Sequence, residues 1–172
     1  MNIYFRPALA ACFGAALLGG CQGDLLGFDD NRNDVRDDVE AYVESLDFLT
    51  EMQRNSLMQM AQTYQHIFKT DFYTADGQVS EININTLRNE IELASNCMVH
   101  AFGSNRELFS AMVRALRRKA ADNDTRADKV KEFDRLAQQV YYNETHFDGN
   151  EDTCMYRPGP VSDAGGAQGE AK

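Results

Sequence analysis

The sequence of 172 residues predicts an all-α fold, an antiparallel bundle of about five helices, on two observations. Residues 22–157 contain no proline, and between residues 28 and 148 the only glycines are Gly77 and Gly103. Because proline and glycine disfavour helix interiors more than any other residues, their absence predicts long uninterrupted helices. Apolar residues also recur at helical spacing in five segments, and short links return each helix alongside the previous one.

The first two helices are predicted from apolar spacing and a capping motif. An acid-rich start followed by an apolar stripe predicts a first helix over residues 34–48. Thr50 and Gln53 have the spacing of a capping box, in which each side chain accepts from the other residue's backbone N–H. The second helix should therefore begin at Thr50, and it should end before the turn-forming residues 74–77.

The third helix follows a segment with an ambiguous pattern. Residues 79–85 alternate apolar and polar side chains as a short strand would. A lone strand leaves its backbone groups without partners, and the sequence offers no second strand, so we expect an extended loop. Asn85 or Thr86 should then cap the third helix, which Gly103 should end.

Two further caps predict the last two helices. Ser104 and Glu107 have capping-box spacing and should begin the fourth helix. A polar break at residues 122–124 separates this helix from a fifth, which Thr125 should cap.

The N-terminus has the parts of an export signal. Residues 1–7 carry one base, Arg6, and no acid, and residues 8–18 form an apolar stretch of 11 residues. A membrane-spanning helix takes about 20 residues, so this stretch is too short to cross a bilayer. The run Leu-Gly-Gly-Cys that ends at Cys21 resembles the lipobox of bacterial lipoproteins. The resemblance implies that residues 1–20 are removed and that Cys21 receives the lipid.

The resemblance also implies a location. In enteric-type bacteria, an aspartate directly after the lipidated cysteine retains lipoproteins at the inner membrane. This chain has Gln22 there, so the resemblance implies an outer-membrane anchor facing the periplasm. A second match ends at Cys12, but almost no apolar segment precedes it, which places Cys12 in the removed peptide. An ordinary signal peptide, cut near Gly20 or Gly23, remains the alternative.

The mature chain is short enough for one helical domain. We expect a tether over residues 21–30, the bundle over residues 31–157, and a disordered tail over residues 158–172, which is rich in Pro, Gly and Ala. The seven residues after Cys21, ending at Phe28, would reach roughly 25 Å when fully extended.

Two cysteines remain for the body of the protein. Cys97 and Cys154 form an even pair in a compartment where disulfides persist, so we predict a bridge between them. Free thiols are the alternative. A copper(I) site is another alternative, since thiolates, thioethers and imidazole suit that ion; its ligands would be Cys97, Met98, His100, Cys154 and Met155.

An acidic segment has the ligand spacing of an EF-hand calcium loop. The residues at positions 1, 3, 5, 9 and 12 are Asp29, Asn31, Asn33, Asp37 and Glu40. Asp34 occupies the position where the loop needs glycine, and Arg36 the position where it needs an apolar residue. The favoured interpretation is a solvated, acid-capped helix start, and no metal site is predicted.

Two further patterns concern catalysis and cofactor binding. Glu44, Ser45 and residues 57–59 resemble pieces of the lytic transglycosylase motifs, but their spacing is too short and the family's glycines and serine are absent. Haem would need an axial histidine, and no Cys-x-x-Cys-His motif occurs. The histidines are His66, His100 and His146. We therefore predict no enzyme and no cofactor.

Charge is unevenly distributed along the chain. Loss of residues 1–20 removes one of 17 bases and none of 27 acids, so the net formal charge changes from −10 to −11, which argues against nucleic-acid binding. Residues 24–51 are strongly acidic. Four bases are bunched late in the fourth helix: Arg114, Arg117, Arg118 and Lys119. Favourable helix-end charge explains this pattern, and a partner-binding patch or head-to-tail contact between copies is the alternative.

Together these patterns predict a lipid-anchored periplasmic protein that acts through contacts with an envelope protein, as an accessory or assembly factor. A lipoprotein that binds a small ligand or a metal is the alternative, and a peptidoglycan-acting hydrolase comes third. A large exposed patch would favour the first, and an apolar pocket with converging polar groups the second.

Overall fold

Five helices form between Asp37 and Gln139 in the computed structural model, which describes residues 25–142 and 153–156. No strand occurs in these described residues; an isolated antiparallel bridge between Tyr73 and Val79 ties the link between the second and third helices. The predicted all-α bundle is confirmed. The helices are α1 (Asp37–Glu44), α2 (Glu51–Lys69), α3 (Glu81–Phe102), α4 (Arg106–Ala120) and α5 (Asp124–Gln139).

The antiparallel pair α2 and α3 forms the centre of the bundle, and every other helix packs against α2. The core is closed by large side chains that are almost fully buried, each contributing about 1.5 to 3 kcal/mol through the hydrophobic effect. They are Leu57, Ile67, Ile84, Leu87, Met98, Leu116 and Leu136.

The start of α3 corrects the prediction of a loop over residues 79–85. Ser80 caps the helix by accepting a hydrogen bond from the backbone N–H of Asn83, so residues 81–85 are helical. Ile84 is fully buried in the core, whereas Ile82 is 80% exposed. The alternating pattern therefore arises from one buried and one exposed isoleucine on a helix, and packing of Ile84 explains why the helix begins early.

The other helix ends agree with the predictions in part. The Thr50–Gln53 capping box and the ending at Gly103, where φ is +55°, are confirmed. The predicted caps of α4 and α5, Ser104 and Thr125, are wrong. In each case a nearby asparagine accepts the helix N–H instead; asparagine is a better N-cap than threonine and about as good as serine. The caps are Asn105, which accepts from Leu108, and Asn123, which accepts from Arg126.

Helix α1 is shorter than the predicted range of residues 34–48. Asp34 has φ of +61°, a left-handed conformation that cannot continue into a right-handed helix, so α1 begins three residues later. At its other end the Ser45 hydroxyl donates to the carbonyl of Tyr42, and the chain turns toward α2.

The carboxyl ends of four helices, α2 to α5, and the link that follows α1 receive hydrogen bonds from other elements. The last carbonyls of a helix have no N–H partner within it, and an unpaired carbonyl costs free energy when it is buried. These bonds supply the missing partners. Because the donors come from other elements, the same bonds also fix the helices relative to one another. The pairs are Arg54 with Leu46 and Leu49 after α1, Lys129 with Thr70 after α2, Gln53 with Ala101 in α3, Arg36 with Lys119 and Ala120 in α4, and Arg88 with Ala137 and Val140 at α5.

The described part of the predicted tether lies against the bundle. The carbonyl of Leu25 accepts a hydrogen bond from Arg126, and the carbonyl of Leu26 accepts one from Gln65. Both leucines are partly buried against the core. Buried side chains of α2 and α5 therefore hold the backbone of Leu25 and Leu26, which lie within the predicted tether. Residues 21–24 and 157–172 lie outside the described residues.

Candidate functional site

The cysteine pair fixes a C-terminal segment across the α2–α3 pair. The sulfurs of Cys97 on α3 and Cys154 are 2.14 Å apart and their Cα atoms 4.8 Å apart, as the predicted bridge requires. Cys97 is 1% exposed, whereas Cys154 lies partly at the surface. The bridge therefore connects the interior of α3 to the segment formed by residues 153–156, which we call the C-terminal segment.

Gln59 on α2 holds the same segment through its side-chain amide. Its Nε2 donates to the carbonyl of Thr153 at 2.8 Å, and its Oε1 accepts from the backbone N–H of Met155 at 2.8 Å. Farther along, the hydroxyl of Tyr156 accepts a hydrogen bond from Asn33 at 3.3 Å. The sequence assigns Gln59 to the polar side of its helix, together with His66. The C-terminal segment covers Gln59, which is 7% exposed, so sequence reasoning missed this residue.

Two cavities lie on either side of the C-terminal segment along the groove between α2 and α3. The larger, of about 460 Å³, lies where α2 begins and is lined by the disulfide, Gln59 and Tyr156, with Glu51, Met52 and Asn55 at the start of α2. The smaller, of about 240 Å³, lies farther along α2 and includes Met155, His66 and Glu90. We call the end of the bundle that carries the larger cavity the cavity end.

The larger cavity has a negative electrostatic environment. Burial raises the pKa of the Tyr156 hydroxyl, and the nearby carboxylates of Glu40, Glu44 and Asp29 raise it further. Burial also raises the pKa of Glu40, and the neighbouring Glu44 adds to the effect, although the amides of Asn31 and Asn33 donate hydrogen bonds to its carboxylate. Both effects indicate that negative charge accumulates beside the cavity.

The smaller cavity contains a histidine held between carboxylates. His66 Nδ1 lies 2.7 Å from a carboxylate oxygen of Glu90, and Nε2 lies 3.8 Å from one of Asp34. The hydrogen bond to Glu90 raises the pKa of His66. His100 lies ten residues beyond Glu90 on α3, about 15 Å along the helix, so the structure does not bring His66 and His100 together. His146 lies outside the described residues.

Three of the five residues with calcium-loop spacing lie in a turn that is hydrogen-bonded to α1, and the other two, Asp37 and Glu40, lie in α1. The carboxylate of Asp29 accepts the backbone N–H groups of Asn33 and Asp34, and the side-chain amides of Asn31 and Asn33 donate to Glu40. Amide hydrogens thus face the Glu40 carboxylate. Among residues 25–142 and 153–156, no group of three His, Cys, Asp or Glu side chains is arranged to hold a metal ion.

The structure does not assemble the residues of the copper and transglycosylase hypotheses into a site. The disulfide uses both cysteine sulfurs, and Met98 is fully buried in the core. Glu44 and Ser45 are exposed at the end of α1, whereas Leu57 and Met58 are buried in α2. These residues do not converge on one cleft.

The predicted basic patch is only partly available to a partner. Arg117 pairs with Asp134 and Lys119 pairs with Asp38, the latter at 2.8 Å. Arg114 and Arg118 are exposed and make no ion pair with another residue in the part of the chain that the structure describes. Half of the patch therefore has a structural role that links α4 to its neighbours.

Cys21, the predicted lipidation site, lies outside the described residues. Within the described ranges, no helix is long and apolar enough to span a membrane. No family model, curated protein or solved structure matches this chain.

Proposed function

We propose that this protein is anchored to the outer membrane by lipid on Cys21, faces the periplasm, and acts through contacts with another envelope protein as an accessory or assembly factor. The run Leu-Gly-Gly-Cys and the short apolar stretch before it support the anchor. The disulfide geometry of Cys97 and Cys154 is consistent with an oxidising compartment.

A single surface feature carries the proposal of protein contacts. Three large apolar side chains are exposed at the cavity end: Phe48 at 61%, Met52 at 44% and Val99 at 50%. Gln53 donates to the carbonyl of Ala101 there, so the start of α2 and the end of α3 lie side by side. Clustered apolar exposure with a polar rim is typical of protein interaction surfaces.

Crosslinking in the native cell tests this proposal. A photoreactive residue placed at Met52, Val99 or Arg114 should give an adduct with one envelope protein, and the same residue at Asp76, at the opposite end of the bundle, should not. Absence of a protein adduct from every position would contradict the proposal.

The anchor is tested separately by labelling cells with a radioactive fatty acid. The wild-type chain should carry the label, and Cys21→Ser should remove it and release the protein from the membrane fraction. Retention of the label by Cys21→Ser would disprove the assignment of Cys21.

A lipoprotein that binds a small ligand is the second candidate. The larger cavity, at about 460 Å³, lies within the size range of small-molecule sites, and the Gln59 amide and the Tyr156 hydroxyl supply polar groups beside it. Heat released on titration with envelope extracts freed of protein would favour this candidate.

A further inference from the structure

We infer that the cavity end is the docking site for a positively charged, amphipathic segment of the partner protein, one apolar side chain of which enters the larger cavity. This inference rests on the proposed function and specifies the chemistry of its partner. It follows from three properties of the cavity end: its exposed apolar side chains, its charges, and its position relative to the N-terminal segment.

The apolar component is a concave surface with an apolar border. Met52 lines the cavity beside the disulfide and Tyr156 while remaining 44% exposed. Phe48 lies four residues before Met52, and Val99 lies two residues beyond the bridged Cys97. A side chain entering the cavity would contact Met52, whose apolar atoms are partly exposed to water, and burial of such atoms favours association.

The charge component identifies the partner as basic. Glu40, Glu44, Asp47 and Glu51 lie on α1, on the turn after it, and at the start of α2, and none forms an ion pair with another described residue. Glu40 and Glu44 are one helical turn apart and both act on Tyr156 at the cavity. Lysine or arginine on a partner would supply the missing countercharge.

Four acids elsewhere on the bundle contrast with this group. They have their countercharges within the protein and belong to its internal network of ion pairs. Asp34 pairs with Lys69, Asp38 with Arg36 and Lys119, Asp122 with Arg36 and Arg126, and Asp134 with Arg117. Glu40, Glu44, Asp47 and Glu51 have no such countercharge among the described residues, and they border the exposed side chains of Phe48 and Met52.

The position of the cavity end leaves it accessible when the protein is anchored. Gln65 on α2 holds the carbonyl of Leu26, five residues after Cys21 in the sequence. Glu51 lies 14 residues earlier on α2, which corresponds to about 21 Å along the helix. The docking surface is thus separated from the N-terminal attachment by most of the length of α2.

Binding of a defined peptide tests the inference on the full mature chain with Cys21→Ser. The probe is a fluorescent 12-residue peptide of alanine and glutamine that carries four lysines and one central tryptophan, measured by fluorescence anisotropy. We expect saturable binding that weakens as salt rises, because salt screens exposed charges. Peptides with glutamate in place of lysine, or alanine in place of tryptophan, should bind at least fivefold more weakly.

Variants locate the site. Glu44→Gln combined with Glu51→Gln should weaken binding at least fivefold, since two exposed charge pairs are lost. Asp76→Asn with Glu81→Gln removes the same charge at the opposite end and should change the dissociation constant less than twofold. Asn55→Trp fills the cavity and should weaken binding of the tryptophan peptide while leaving the alanine peptide unaffected. Unchanged circular dichroism would exclude misfolding as the cause.

The outcomes separate the inference from the proposed function. Equal binding by the two charge-neutralised pairs, or binding insensitive to Asn55→Trp, would overturn the docking site. Self-association of the chain that Glu44→Gln with Glu51→Gln abolishes would identify a second copy as the occupant and also overturn it. An in-cell adduct from Arg114 but none from Met52 would contradict the inference while leaving the proposed function intact.

Discussion

Replacing Gln59 with leucine removes the amide that holds the C-terminal segment against α2. Leucine keeps most of the side-chain volume and cannot accept or donate a hydrogen bond. Thr153 is 4% exposed. In the variant, its carbonyl and the N–H of Met155 each lose the 2.8 Å hydrogen bond to the Gln59 amide. The disulfide at Cys154 remains, so the change loosens the segment without releasing it.

The magnitude follows from these two bonds. A hydrogen bond contributes about 1 kcal/mol net, and a buried group left without a partner costs about 1 to 3 kcal/mol. The added apolar burial of leucine offsets part of this cost, which leaves an expected destabilisation of the segment of about 2 kcal/mol. At about 1.4 kcal/mol for each factor of ten, local opening should become roughly 30-fold more frequent.

Amide hydrogen exchange measured by NMR at Met155 reads this opening directly. We expect exchange at Met155 to be roughly 30-fold faster in Gln59→Leu, in line with the lost hydrogen bonds. Gln65→Leu is the matched control, because it removes one bond to Leu26 from the same helix and leaves the C-terminal segment untouched. Exchange at Met155 that is equally fast in both variants, or unchanged in Gln59→Leu, would refute the role assigned to this amide.

Three further predictions test the packing. Cys97→Ser with Cys154→Ser opens a loop with a sequence separation of 57 and should lower the free energy of unfolding by up to about 4 kcal/mol in urea titrations; a loss under about 1 kcal/mol would show that the bridge constrains little. His66 has a raised pKa, so its ion pairs stabilise the fold fully below its ordinary pKa of about 6.5 and lose that effect as pH rises through the raised value. His66→Gln should therefore destabilise more at pH 5.5 than at pH 8.5, with His100→Gln as the control, and a pH-independent loss would argue against this role. Gly27 has φ of +69° and an added Cβ would lie 2.3 Å from Arg36 Cδ, whereas Gly77 at φ of +81° has open space around it. Gly27→Ala should lower the melting temperature more than Gly77→Ala, which costs about 1 to 2 kcal/mol for its backbone alone; equal losses would show that Arg36 moves aside freely.

The sequence predicts the helices well because their apolar stripes are set by burial in one core. Residues such as Leu57 and Leu87 recur at helical spacing, and the structure buries them. Helix ends are predicted less accurately, since Ser80, Asn105 and Asn123 compete locally with other plausible caps. Packing decides which residue caps the helix, as the burial of Ile84 illustrates. Packing between distant segments cannot be read from a local sequence pattern.

The candidate site depends even more on distant contacts. The pairing of Cys97 with Cys154 is predictable from the count of cysteines that remain outside the predicted signal and lipidation site. The role of Gln59 is not predictable, because its partners lie more than 90 residues away in the sequence. The residues three and four positions from it on α2 are polar, as they would be around an exposed glutamine. A buried amide that bonds backbone groups has the same sequence signature as an exposed one.

The same argument applies to charge, and there it changes the functional interpretation. The sequence presents residues 24–51 as one acidic block and the end of α4 as one basic patch. In the folded chain only part of each group is paired. Asp38 forms ion pairs with Lys119 and Arg36, whereas Glu44 and Glu51 form none with a described cation. Part of each block therefore neutralises the other and stabilises the junction of α1 with α4. Among the acids that form no ion pair with a described residue, Glu40, Glu44, Asp47 and Glu51 lie at the cavity end beside the exposed apolar side chains. A partner selected by this surface must carry both positive charge and an apolar anchor, since a purely electrostatic partner would leave Phe48 and Met52 exposed to water.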